Sequence, residues 1–107
     1  DQKEIPNIYA LKQNYPNPFN PLTTIDVQLK YSGENIRLSI IDINGNEVKV
    51  LANNYFPAGV KSFQWDSKDR NGKSVPSGVY FYHLETSSFK TSKKMILIKW
   101  DLFFNKV

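Results

Sequence analysis

Catalysis and metal binding need groups that move protons, attack, or coordinate, and this sequence rarely places two of them together. His83 is the sole histidine and there is no cysteine. The chain therefore lacks a His–Cys pair, a thiolate metal site and a second imidazole for zinc. The carboxylates Asp26, Asp42, Glu47, Asp66, Asp69 and Glu85 are scattered over different strands and loops. Nothing in their spacing calls for the facing pair that works on a glycosidic bond. The loop DSKDRNG, residues 66–72, comes nearest to a metal motif. Aligned on Gly72, a calcium-loop register places Ser67, Asp69 and Asn71 at ligand positions, but the bidentate glutamate falls on Gly78. The loop reads as a solvated turn, and the chain as a non-enzyme that holds no cofactor and no metal.

Charge singles out one segment. The net charge is +4 over 107 residues, and residues 1–87 are balanced. The excess comes from Lys90, Lys93, Lys94, Lys99 and Lys106, opposed within residues 88–107 by Asp101 alone. A nucleic-acid surface would add arginines and interleaved stacking aromatics, whereas Arg37 and Arg70 lie elsewhere. The basic segment instead brackets an apolar run, KTSKKMILIKW. Such a strand reads as a last strand whose Met95–Ile98 stretch is buried and whose lysines guard an edge. The rival reading is an accessible basic strand that a receptor grips by strand addition.

The elements that must position these residues are strands. Apolar residues recur with period two: Ile25, Val27 and Leu29 in TTIDVQLKY, then Ile36, Leu38 and Ile40 in NIRLSIIDI. The short SGE between them predicts a hairpin or adjacent strands. NGN at 44–46 predicts a primed hairpin turn before EVKVLA, and PAG at 57–59 ends that strand before VKSFQWD. VYFYHLET at 79–86 is bulky on both faces, which suits the middle of a sheet. IYALKQNY at 8–15 reads as an edge strand. No segment carries a capped period of 3.6, and no stretch approaches the roughly 20 apolar residues of a membrane-spanning helix. The expected fold is all-β: an immunoglobulin-like β-sandwich of about seven antiparallel strands.

The stretch NYPNPFNP, residues 14–21, stands out within that pattern. Proline has no amide donor and a fixed φ, so Pro16, Pro18 and Pro21 keep this piece out of a central ladder. Asn17 and Asn20 suit Asx turns. The expectation is a rigid lead-in along the sandwich edge, pinned to the core by Phe19 and Tyr15. Asp1 is no initiator methionine, so the chain reads as part of a longer protein.

Four stretches then follow in a telling order: LKQNYPNPFNPLTTI, LSIIDINGNEVKVL, PAGVKSFQWDSKDRNGKSVPSGVYFYHLET and KTSKKMILIK. Over residues 5–99 the sequence resembles the type A C-terminal sorting domain of the type IX secretion system. The most specific signature is Tyr15, Pro16, Asn17, Pro18, Phe19, Asn20 and Pro21. Asp42 to Leu84 also resembles the immunoglobulin-like domain of flagellar hook-capping proteins, which lacks the proline–asparagine block.

The resemblance implies a layout of residues 1–7 as linker from an upstream cargo domain, 8–99 as the sorting domain, and 100–107 as an extra aromatic tail. It implies secretion through the periplasm to the cell surface or extracellular space. It also implies an outer-membrane translocon and a sortase-like peptidase as partners. The sorting signal maps to Lys93, Lys94, Met95, Ile96, Leu97, Ile98 and Lys99. The family pattern stops near Lys99, whereas WDLFFNKV continues here, appended to the chain or serving as an added strand. The competing class is a structural or adhesive surface module that self-associates through an edge strand or that tail.

Overall fold

In β2 (Thr23–Leu29) the period-two pattern appears residue by residue, with Thr23, Ile25, Val27 and Leu29 buried and the residues between them half-buried. The same alternation builds β3 (Glu34–Asp42) and β6 (Gly78–Glu85). The structure is a computed structural model that describes residues 9–88 and 90–99. The remaining strands are β1 (Tyr9–Leu11), β4 (Glu47–Phe56), β5 (Gly59–Trp65) and β7 (Lys90–Leu97). The expected linker at 1–7 and tail at 100–107 lie outside the described residues.

All pairings between strands are antiparallel, in a three-stranded sheet ordered β1-β2-β5 and a four-stranded sheet ordered β4-β3-β6-β7. The two sheets enclose one core, as expected of an immunoglobulin-like sandwich. β6 is central, bonded to β3 and β7, which explains its bulk on both faces. Tyr80, Tyr82 and Leu84 enter the core, while Val79, Phe81 and His83 lie on the outer face.

Two turn expectations are corrected. The SGE segment does not close a hairpin: β2 and β3 belong to different sheets, because both edges of β2 are taken by β1 and β5. The chain crosses between layers there. Gly33 sits so close to Tyr55 and Phe56 that a Cβ would come 2.7 Å from the Phe56 carbonyl oxygen. The NGN turn does join β3 to β4, but only Gly45 has positive φ (87°). It is therefore a type I turn followed by a glycine bulge, not a primed turn. Asp42 organises it: Oδ1 accepts the amides of Asn44 and Asn46, and its own carbonyl accepts Gly45 N–H.

The core centres on Trp65. Its ring packs against Phe19 at 5.8 Å and against Tyr80 at 5.4 Å, both in tilted or edge geometry that suits the aromatic quadrupole. Trp65 Nε1 donates to the Lys68 carbonyl at 2.9 Å, so the indole is buried without an unpaired donor. Among the described residues no helix is long and apolar enough to cross a membrane.

Candidate functional site

The proline-rich stretch is built into the fold by its neighbours' polar atoms. Asn14 is buried, and its Nδ2 donates to Thr23 Oγ1 at 2.9 Å and the Pro16 carbonyl at 3.2 Å. Thr23 Oγ1 donates to the same carbonyl. Ser67, held at positive φ, donates its hydroxyl to the Pro21 carbonyl. Prolines free carbonyls without supplying donors, and these side chains supply them. From below, Tyr82 Oη accepts Asn14 N–H at 2.9 Å and donates to the Lys12 carbonyl at 2.7 Å. Burial pushes the Tyr82 phenol up to about 12, with the Asn14 amide pulling the other way.

Within the block, Phe19 is buried (2% exposed) but Tyr15 is 54% exposed. The expected second anchor is therefore corrected: Tyr15 bridges Thr24 through its backbone and holds its ring outward. Asn17 also departs from the expected Asx turn. Its Oδ1 reaches across to accept the Ile96 amide at 3.0 Å.

That bond brings the signature block onto the terminal strand. Phe19 N–H donates to the Ile96 carbonyl and the Phe19 carbonyl accepts Ile98 N–H, each at 3.0 Å. Gln13 Nε2 donates to the Lys94 carbonyl at 3.0 Å. Since Ile96 points both backbone groups away from β6, antiparallel alternation makes Lys90, Ser92 and Lys94 face outward as well. Among the described residues the outer edge of β7 is thus closed from the Lys94 carbonyl onward and open at Ser92 and the Lys94 amide.

The side chains of the expected signal divide accordingly. Met95 and Leu97 are buried (0% and 1%), Lys93 sits half-buried at the rim, and Lys94, Ile96 and Ile98 line the outer face. The rival reading, a Met95–Ile98 strand open to strand addition, meets a closed edge here. Two of its side chains fill the core, and the outward backbone groups of Ile96 with the Ile98 amide are paired within the molecule. The run is not uniformly buried either: MILI looks continuous in sequence, yet as a strand it alternates. Lys99 closes the segment, its amide donating to Ser77 Oγ at 2.8 Å. Pro16, Pro18, Phe19, Asn20 and Ile98 line an open pocket of about 400 Å³ where the block meets the strand's end.

Sequence reading did not foresee that His83 Nδ1 would lie 2.7 Å from Ser92 Oγ, across the β6–β7 register. A Ser–His contact is the start of a nucleophile–base pair. Among the described residues no carboxylate is hydrogen-bonded to the ring, and the contact ties β6 to β7. Asp69, one of the three positions of the calcium-loop register, is committed to its turn: Oδ1 accepts the amides of Asn71 and Lys73. Those amides hold its carboxyl below the usual range, the Lys73 amide contributing most. Among the described residues no three His, Cys, Asp or Glu side chains group around a metal position.

Fold and site together define an immunoglobulin-like sandwich whose last strand is partly sealed by a proline–asparagine block. Residues 13–99 match the family described as the secretion system C-terminal sorting domain. The chain belongs to that family, and its role is that of a type IX C-terminal sorting domain, directing an attached protein to the cell surface or extracellular space. Latent PorU from Porphyromonas gingivalis superposes with a TM-score of 0.67 at 20% identity, over 90% of this chain and 10% of that one. FlgD from Xanthomonas campestris gives 0.56 at 23%, over 83% and 64%. At these identities the likeness is one of fold. The basal-body rod modification protein FlgD of Salmonella typhimurium is 34% identical over 58 residues, 54% of this chain. The chain spans about a quarter of the length of that relative.

Proposed function

We propose that the outward side chains at the end of β7, with Lys93 and Lys99 at its rim, form the surface by which an export machinery reads this domain, and that the domain performs no catalysis. The observation that carries this reading is the pairing of Asn17 and Phe19 with Ile96 and Ile98. It merges the most specific sequence signature and the basic terminal strand into one surface. The buried Met95 and Leu97 anchor the strand, while Lys94, Ile96, Ile98 and the neighbouring pocket present it. In this reading the partners are an outer-membrane translocon, a sortase-like peptidase and an upstream cargo. Residues 1–7 act as linker, 8–99 as the sorting unit and 100–107 as a tail.

The test fuses the chain to a reporter in a bacterium that has a type IX system and replaces Lys93, Lys94 and Lys99 by glutamine. Loss of surface reporter with an unchanged melting temperature supports the reading. Undiminished delivery contradicts it.

A second reading, a structural surface module, is favoured by the sequence likeness to the rod modification protein and by the exposed Tyr31 and Tyr55. Light scattering separates the two: concentration-dependent oligomers favour the module, a monomer the sorting domain.

A further inference from the structure

The two edges of the four-stranded sheet are β4 and β7, and β7 is covered over only part of its length. Asn17 and Phe19 occupy the outward backbone groups of Ile96 and the Ile98 amide. Upstream, the outward groups of Ser92 and the Lys94 amide have no partner among the described residues, and the Lys94 carbonyl holds only the exposed Gln13 side chain. Lysines flank this open stretch. Lys90 lies 3.8 Å from Glu85, a weak exposed pair. Among the described residues, no carboxylate lies within salt-bridge distance of Lys93 or Lys94.

Unpaired strand edges bind extended chains. The lysines decide which chain. A second copy of this edge would set lysine against lysine, which costs energy at each like-charge contact. A strand bearing glutamate or aspartate would set opposite charges side by side. We propose that the open edge at Lys90–Lys94 is a docking site for an acidic, extended peptide segment that adds as an eighth strand, with Gln13 displaced and the Asn17–Phe19 cover marking where the added strand stops. The proposal rests on the sorting reading and names the chemistry of the partner's contact: backbone pairing for register, carboxylates for selection.

The probe is a short peptide alternating glutamate and valine, titrated into the full chain at low salt and followed by amide shifts and hydrogen exchange. Binding should protect the Ser92 and Lys94 amides and leave those of Ile96 and Ile98 unchanged. The glutamine counterpart should bind about fivefold more weakly, the difference vanishing at high salt. Ser92→Pro removes an outward donor that an edge strand can spare, so it should abolish binding while the domain stays folded. The double change Lys93→Glu and Lys94→Glu should reverse the preference toward a lysine–valine peptide. Equal binding of the glutamate and glutamine peptides, or protection elsewhere on the surface, overturns the proposal.

The reporter fusion separates its failure from that of the sorting reading. If Ser92→Pro abolishes peptide binding but leaves delivery intact, the edge is not used in export and the proposal fails, while the sorting reading stands. If the lysine-to-glutamine fusion is still delivered, the reading of the β7 surface as the signal fails, and the docking role inferred from it fails too.

Discussion

Phe19 donates its amide to the carbonyl of Ile96 at 3.0 Å, so a residue near the start of the chain completes the edge of the last strand. Its ring meanwhile packs on Trp65. One residue thus joins the core to the strand that carries the proposed signal. Phe19→Ala should cost about 3–5 kcal/mol, as expected for emptying a buried aromatic site. Phe19→Leu should cost distinctly less. Amide exchange at Ile96 and Ile98 should accelerate more than at Tyr82. Chemical denaturation and exchange NMR check both, and a cost below about 1 kcal/mol would show that Phe19 does not anchor the cover.

Tyr82→Phe removes one hydroxyl that serves two backbone groups, the Asn14 amide and the Lys12 carbonyl. Leaving both unpaired should cost about 1–3 kcal/mol at neutral pH. The pH dependence has a definite sign. The folded phenol titrates at about 12 against about 10 when unfolded, so its contribution is full below pH 10 and is lost as pH rises through 12. The variant should lack that loss, and its deficit should shrink in alkaline urea titrations.

The turns at Asp42–Asn46 and Asp69–Lys73 are the same device used twice. In each, an aspartate Oδ1 accepts two amides, its carbonyl accepts the glycine N–H, and the glycine has positive φ, 87° at Gly45 and 80° at Gly72. Gly45→Ala and Gly72→Ala should therefore destabilise alike, by about 1–2 kcal/mol each. Thermal melts that separate the two by more than that amount would contradict the equivalence.

Arg37 holds Glu47 through both carboxylate oxygens, at 2.8 and 3.1 Å. The Arg37 hydrogen bond lowers the Glu47 pKa, outweighing partial burial. Its contribution is therefore present above the ordinary carboxylate pKa and fades as pH falls through the lowered folded value. The pair is about a third exposed, so Glu47→Gln should cost at most about 1 kcal/mol at neutral pH and nothing in acid or at high salt.

Local rules made much of this fold legible. Alternation in β2, β3 and β6 marks core faces directly, and prolines at 16, 18 and 21 keep their segment out of the ladder. Partner choice was not local. SGE looks like a hairpin turn, yet β2 bonds β1 and β5 because the sandwich needs the chain to change layers there. Tyr15 and Phe19 look equivalent, and only the meeting with Trp65 decides which one enters. Asn17 could cap its own turn, but the bare Ile96 amide, many residues away in sequence, is the better-placed donor. The candidate site was visible as two separate stretches, and its closed edge became visible only when those stretches met.

The central claim is that the end of β7 is read through its outward side chains because its backbone edge is already sealed. The most direct measurement compares surface delivery of a reporter fused to two folded variants. One carries Lys94→Gln, Ile96→Thr and Ile98→Thr, the other Val60→Thr, Lys61→Gln and Gln64→Thr on the opposite sheet. Delivery lost in the first and kept in the second is the predicted result; equal delivery by both would contradict the account.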